Sequence, residues 1–257
     1  MSTPPAAGGP RAFGRRLSFS GDRSDLLYVI VAAVLAVMLS HLPLISAVVY
    51  PFKLFGTFVH EWSHALVALV TGGSVVQLQI NSDLSGETFT RGGWPLFIAS
   101  AGYVGAAIAG ALLLLTPTRF ANRTLVGIGV VSLLMPFVGG IAFGTDFPAN
   151  TWLWAAIFGG VSLAIGLRAA PRVARIFQQF VAVELCFTAL DSLRYLIWLS
   201  ANVPHVCNST YTAGCSDAYN ASQYTGLPEL FWSILWAAIA VAAIGCALFR
   251  VVRRSLV

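Results

Sequence analysis

The sequence predicts an all-α polytopic membrane protein with about seven transmembrane helices and a small β-hairpin after the second. Composition is the first reason: 57% of residues are hydrophobic and 10% charged, with mean hydropathy +0.79, whereas soluble domains carry about 25% charged residues. The second is that the apolar stretches are long and continuous rather than short and alternating, which favours helices over a barrel. The third is physical: lipid forces every backbone polar group to be satisfied within the spanning structure itself.

Residues 1–25 are rich in Pro, Gly, Ala and Arg and show no hydrophobic period, so they read as a disordered basic tail. The apolar run after it is too long for the core of a cleaved signal peptide and lacks a clean cleavage site, so it is expected to remain attached. Apolar segments follow at approximately 26–49, 52–71, 94–116, 124–144, 150–167, 177–200 and 228–249, each close to the length that crosses some 30 Å of hydrocarbon. Pro51, Gly72, Gly73, Pro117, Pro148, Pro171 and Pro228 mark the joints. With no internal repeat and only short loops, residues 26–257 read as a single membrane-embedded domain.

Between the second and third segments, Val76, Leu78 and Ile80 alternate with Gln77 and Gln79. A polar turn over 81–86 and a second β-prone run, Thr88-Phe89-Thr90, complete a hairpin signal. The third segment carries Gly102, Ala106 and Gly110 at four-residue spacing, a stripe that lets helices approach closely, more often within a bundle than between copies. Cys186 and Cys246 fall within predicted helices as packed thiols, while Cys207 and Cys215 share one polar loop. That pair can bridge if the loop faces an oxidising compartment, and two unpaired thiols fit the sequence equally well.

The net charge of +5 is almost wholly arginine, Lys53 being the only lysine. The arginines cluster in short loops between apolar runs, so they read as orientation signals at a lipid bilayer rather than as a nucleic-acid surface. Seven spans divide them. Arg11, Arg15, Arg16, Arg23, Arg91 and Arg194 fall on one side; Lys53, Arg119, Arg123, Arg168, Arg172, Arg175, Arg250, Arg253 and Arg254 fall on the other. The excess favours a cytoplasmic C-terminus.

Within the second segment stands His60-Glu61-Trp62-Ser63-His64, an H-E-x-x-H motif. Histidines four apart share one helix face, so both imidazoles can bind one metal, and Glu61 follows the first ligand where a carboxylate can activate water. A charged residue at mid-bilayer costs roughly 2.5–3.5 kcal/mol on insertion scales, which argues for a use. Trp62 and Ser63 point to other faces and read as packing residues. A transporter or metal sensor could use two histidines and an acid, but a pure binding site has no need of a carboxylate at position 61.

A catalytic zinc usually takes three protein ligands and leaves one position open. Depth sorts the acids available for the third. His64 lies twelve residues past Phe52, about 18 Å into its span, and Asp191 fourteen past Phe177, about 21 Å in. Glu184 lies about 10 Å in, near the level of His60. Asp146 and Glu229 fall at helix ends, His205 and Asp217 in a loop, and His41 near the end of the first segment. Depth retains Asp191 and Glu184 without separating them. Arg194, one turn past Asp191, is expected to snorkel towards the interface.

Phe58-Val59-His60-Glu61-Trp62-Ser63-His64-Ala65-Leu66, followed by Thr71-Gly72-Gly73, resembles the metal helix of the site-2 protease family of intramembrane zinc metallopeptidases, in particular a small bacterial branch without a PDZ domain. The resemblance covers roughly residues 52–200. It implies a zinc-dependent metalloendopeptidase of a bacterial plasma membrane that cleaves membrane-protein or transmembrane-peptide substrates. Ala189-Leu190-Asp191 looks like the family's aspartate segment, so the implied ligands are His60, His64 and Asp191 on Zn2+. Ser192 stands where glycine follows that aspartate in the better-known pattern, and no Asn-Pro pair lies upstream. The implied chemistry has zinc lower the pKa of its water and polarise the scissile carbonyl, while Glu61 takes the proton and passes it to the leaving amine. The hairpin matches a β-rich element thought to receive the unwound substrate strand, by β-strand addition. The family arrangement places the hairpin in the cytosol, opposite to the arginine count.

Overall fold

The computed structural model describes residues 24–41, 46–143, 148–203 and 215–256. The expected tail lies outside them except for Ser24 and Asp25, which open the first helix; Asp146, His205 and Cys207 also lie outside. The elements in order are α1 (Ser24–His41), α2 (Ser46–Val70), β1 (Ser74–Ile80), β2 (Gly86–Arg91), α3 (Pro95–Leu115), α4 (Ala121–Phe143), α5 (Ala149–Arg168), α6 (Pro171–Asn202), α7 (Asp217–Thr225) and α8 (Glu229–Leu256).

Among the described residues, four stretches are long and apolar enough to cross a membrane, Pro95–Leu115, Thr118–Ala142, Thr151–Arg168 and Glu229–Leu256, and they make this an integral membrane protein. Among the described residues the other three expected spans do not meet that measure. The described part of the first holds a shorter apolar stretch, Leu26–Ala36. α2 carries Lys53, Glu61 and both histidines, and α6 carries Arg172, Arg175, Glu184, Asp191 and Arg194. Pro51 does not break the chain as expected; it lies inside α2, where only about one turn precedes it and few carbonyls lose a partner. α7 falls where the sequence predicts a loop.

α3 is the central helix, packed on α2, α6, α7 and α8. Its small residues allow the close approach. A methyl group on Gly110 would lie 2.7 Å from Cys186 Sγ on α6, and one on Gly105 would overlap Ser63 of α2, so the expected stripe serves packing within the bundle. The main apolar core joins α1, α3, α6 and α8 around Ala106, Ala107, Leu193, Leu196 and Trp236. α4 and α5 form a close pair beside it.

Polar ties gather the far ends of these helices. Gln178 Nε2 donates to Leu113 O (3.0 Å) and Arg254 Nη1 to Leu115 O (3.3 Å), while Arg175 donates to Thr116 O. These carbonyls belong to the last turn of α3 and its cap, which the helix itself cannot satisfy. Asn122 Nδ2 donates to Gly166 O (3.1 Å) and Ala169 O (3.0 Å), joining the start of α4 to the end of α5.

The expected hairpin is present, with β1 and β2 antiparallel. Its period-two pattern departs at Val76, which is 52% exposed while Leu78 and Ile80 are fully buried. The register shifts between Val75 and Gln77, and a bulge of this kind sends one residue out of alternation. Leu78 and Ile80 sit in a second core with Leu54, Phe58 and Ala65 of α2 and Ala155 of α5. Tyr50 Oη donates to Ser82 O (2.9 Å) and Thr57 Oγ1 to Leu84 O (2.9 Å). The hairpin is thus folded back along α2, over the turn that carries the histidines.

Candidate metal centre

The i, i+4 spacing on α2 turns His60 and His64 to the same face, with ring centroids 4.8 Å apart. His64 Nδ1 lies 2.6 Å from Ile98 O in the first turn of α3. That carbonyl takes the Nδ1 proton and leaves Nε2 as the acceptor, the arrangement that orients metal-binding histidines. His60 is held edge-on by Tyr103 at 4.5 Å between centroids. Tyr103 in turn stacks on Trp236, whose Nε1 donates to Ser100 Oγ (3.0 Å).

The carboxylate that meets the two imidazoles is Asp217. Its Oδ2 lies 3.4 Å from His60 Nε2 and 3.3 Å from His64 Nε2. One ligand atom from each of the three residues falls within 4.8 Å of the others. Asp217 is the first residue of α7, placed there by Ser216, whose side chain accepts from Tyr219 N at 3.2 Å. An N-cap serine followed by an acid suits a helix start. Ala218 and Ala221, both fully buried, seat the short helix against α3 and α8. Burial by itself would push the Asp217 carboxyl up, but His64 and His60 outweigh it and hold the group below the usual carboxylate range.

Asp191, the third ligand the resemblance implies, does not join this cluster. Its side chain is 73% exposed and paired with Arg194, Nη2 to Oδ1 at 2.9 Å. On α6 the buried face runs through Ala189 and Leu193, which turns Asp191 outward. Arg194 is therefore engaged with Asp191 rather than snorkelling alone. Glu184 is buried and lies outside the cluster, with Oε1 lacking a hydrogen-bond partner among the described residues.

The fit to a metal is tested by the donor set and by the space around it. Two imidazoles and one carboxylate make a three-ligand set suited to catalytic zinc. No side chain intrudes, because α3 presents Gly102 there: a methyl group at that position would overlap Nε2 of both histidines. Gly102 thus has a second role besides helix packing.

Glu61 is buried beside the cluster. Thr88 Oγ1 of β2 donates to Glu61 Oε2 (2.6 Å) and to Glu61 O (3.1 Å). Gly86 leaves room for the carboxylate, since an added methyl would lie 2.5 Å from Oε1. Trp62 packs in the hairpin core, and Ser63 donates to Val59 O at 2.6 Å, both structural as expected. A cavity of about 630 Å³ opens over the site, bordered by the histidines and Glu61, by β2 and by α7.

Cys215 also lines this cavity and is disulfide-bonded, whereas Cys186 and Cys246 are free thiols. Cys207, the other cysteine of that loop, lies outside the described residues.

The apolar helices and the H-E-x-x-H cluster make this an integral membrane protein with a candidate metal site. The family model described as Peptidase M50B-like matches residues 27–247, and the chain belongs to that family. It falls within the site-2 protease group that the motif resembles. Searches of curated proteins and of solved structures gave no match.

Neither Asp217 nor Gly102 was found from the sequence as part of the site. The signal for Asp217 was the Ser216-Asp217 helix start within the polar loop, closed at Gly226, whose φ of 71° suits glycine. Depth within a span does not reach Asp217, because α7 lies outside every expected span.

Proposed function

We propose that this protein is an intramembrane zinc metalloendopeptidase in which His60, His64 and Asp217 would hold the metal and Glu61 is the general base. The observation that carries the reading is the convergence of Asp217 on both imidazoles, at 3.3 and 3.4 Å, beside a buried glutamate in a cavity of peptide-accepting size. Zinc held by this set would supply a Lewis acid that acidifies water and polarises a carbonyl. Ile98 O keeps His64 in the tautomer whose Nε2 can bind. Glu61 accepts the proton of the attacking water and delivers it to the leaving amine. Thr88 fixes the Glu61 carboxylate through Oε2 and leaves Oε1 for that transfer.

The substrate class is membrane-associated proteins, and a bacterial plasma membrane is the setting the resemblance implies. A helix hides its peptide bonds, so the reacting segment must unwind first. A two-stranded sheet leaves each strand an outer edge, and β2 borders the cavity beside Glu61. An extended segment adding to that strand would lie across the site.

The test is Glu61→Gln in the purified full-length protein. Zinc content is expected to match wild type, while cleavage of a helix-destabilised transmembrane peptide falls by about 10²–10⁴. A hydroxamate offers a check that needs no substrate: it should bind the zinc-loaded wild type. Cleavage by Glu61→Gln at the wild-type rate would remove the general-base role. Failure of the zinc-loaded wild type to bind the hydroxamate would indicate a closed, structural metal site.

A further inference from the structure

No lysine or arginine lines the metal cavity, and its carboxylates are Glu61, Glu87 and Asp217. Two of the three are committed. Asp217 meets both imidazoles, and Glu61 is held by Thr88. Glu87 on β2 is exposed and forms no ion pair among the described residues. The facing wall, on α7, adds Asn220, Gln223 and Tyr224, all polar and uncharged. Outside the metal cluster and Glu61, the fixed charge on the cavity lining is therefore the single negative charge of Glu87.

The pleat of β2 places that charge relative to an incoming strand. β1 occupies one edge of β2, and the free edge borders the cavity. Gly86 and Thr88 face α2, since a methyl on Gly86 would meet the Glu61 side chain and Thr88 donates to it. Glu87, between them, faces the other way. In a strand added antiparallel to the free edge, the residue opposite Glu87 has its Cβ about 4.5–5.5 Å from that of Glu87 and on the same face. Opposite charges in such a pair attract and like charges repel. Position 87 is one residue, about 3.3 Å, from the Thr88 that holds the general base, so its partner lies within about two residues of the bond to be cut. Arg91, the next cation along β2, is four residues or about 13 Å away, beyond the screening length of about 8 Å at physiological salt. The adjoining hairpin turn carries Asp83, a further carboxylate, rather than a cation.

We infer that Glu87 is a specificity residue, and that the cavity selects substrate segments carrying a lysine or arginine within about two residues of the cleaved bond. The inference rests on the peptidase reading and on strand addition to β2. An acidic residue at the same place meets Glu87 as a like charge and is disfavoured. Because Glu87 touches neither the metal ligands nor Glu61, it acts on which segment is held and leaves the chemistry of the cluster unchanged.

The test uses the zinc-loaded full chain as wild type, Glu87→Gln and Glu87→Lys, with circular dichroism to confirm folding. The probes are helix-destabilised transmembrane peptides of one sequence, differing only in Lys, Gln or Glu at each of the four positions around the destabilised centre. At one position the wild type should prefer Lys to Glu by about fivefold in kcat/KM, the upper range for an exposed ion pair. Glu87→Gln should lose the preference, and Glu87→Lys should reverse it at the same position. The preference should also shrink at about 1 M salt, where the screening length falls to about 3 Å. Cleavage with no charge preference at any position, or with the same preference in all three proteins, would overturn the role of Glu87 and leave the peptidase reading standing. A second measurement needs no cleavage: fluorescence anisotropy of the same peptides on zinc-loaded Glu61→Gln, with Glu87 intact or changed by Glu87→Lys. Charge-selective binding that reverses with Glu87→Lys upholds the role of Glu87, even where the wild type cleaves none of the peptides and the peptidase reading falls. Binding indifferent to charge, or no binding, would overturn it.

Discussion

Replacing Asp217 by alanine should strip the metal, and replacing Asp191 should not. Asp217 Oδ2 lies within 3.4 Å of both imidazole Nε2 atoms, so its removal deletes one ligand from a set of three. Structural zinc sites with four protein ligands bind with about 10–16 kcal/mol at pH 7, or roughly 2.5–4 kcal/mol per ligand. Loss of one should therefore raise the zinc Kd by about 10²–10³-fold. Asp191 is 73% exposed in a surface pair with Arg194, an interaction that contributes about 0–1 kcal/mol to stability and nothing to the site. Its variant should bind zinc within about twofold of wild type. Glu184→Gln should behave the same way, since Glu184 lies outside the cluster. The assay is competition with a chromophoric chelator on detergent-purified protein, with circular dichroism to confirm that each variant is folded. Zinc retained by folded Asp217→Ala and lost from Asp191→Ala would refute the ligand assignment.

Three further outcomes follow from the site. Gly102→Ala should lower zinc affinity by at least about tenfold with every ligand still present, because its methyl overlaps both Nε2 atoms, while helix content holds or rises, as alanine favours a helix by about 1 kcal/mol over glycine; unchanged affinity would show that the cluster has room to shift. Thr88→Val should leave zinc content unchanged and slow cleavage about tenfold or more, through loss of a hydrogen bond to a charged group worth roughly 1.5–3 kcal/mol; full activity would show that Glu61 needs no support from the hairpin. Cys215→Ser should weaken zinc binding by about tenfold, the lower end of what loss of an outer-sphere support costs, as read by the same chelator titration; an affinity equal to wild type would show that α7 holds Asp217 without the disulfide.

The hairpin and the metal helix were legible because their signals are local. Leu78 and Ile80 mark a buried strand face by alternation, and His60, Glu61 and His64 mark one helix face by spacing. Pro51 misled for a local reason too: a proline reads as a break wherever it stands, yet near a helix start it removes little. Val76 broke its own alternation at a bulge, a feature of strand pairing that a single strand does not display.

The sequence by itself determined the membrane class, the long apolar helices, the hairpin and the two histidines with their glutamate, since each depends on composition or on a period shorter than two turns. Tertiary structure alone brought Asp217 to the two imidazoles, Gly102 beside them and Thr88 to Glu61. Asp217 stands 153 residues after His64 in the chain (64 to 217) and in a helix of nine residues. The packing of Ala218 and Ala221 on α3 and α8 carries it to the imidazoles. Asp191 matches His64 in depth, and its side chain faces outward from its helix. Depth along an axis follows from counting residues, but the direction a side chain faces follows from which neighbours the helix buries.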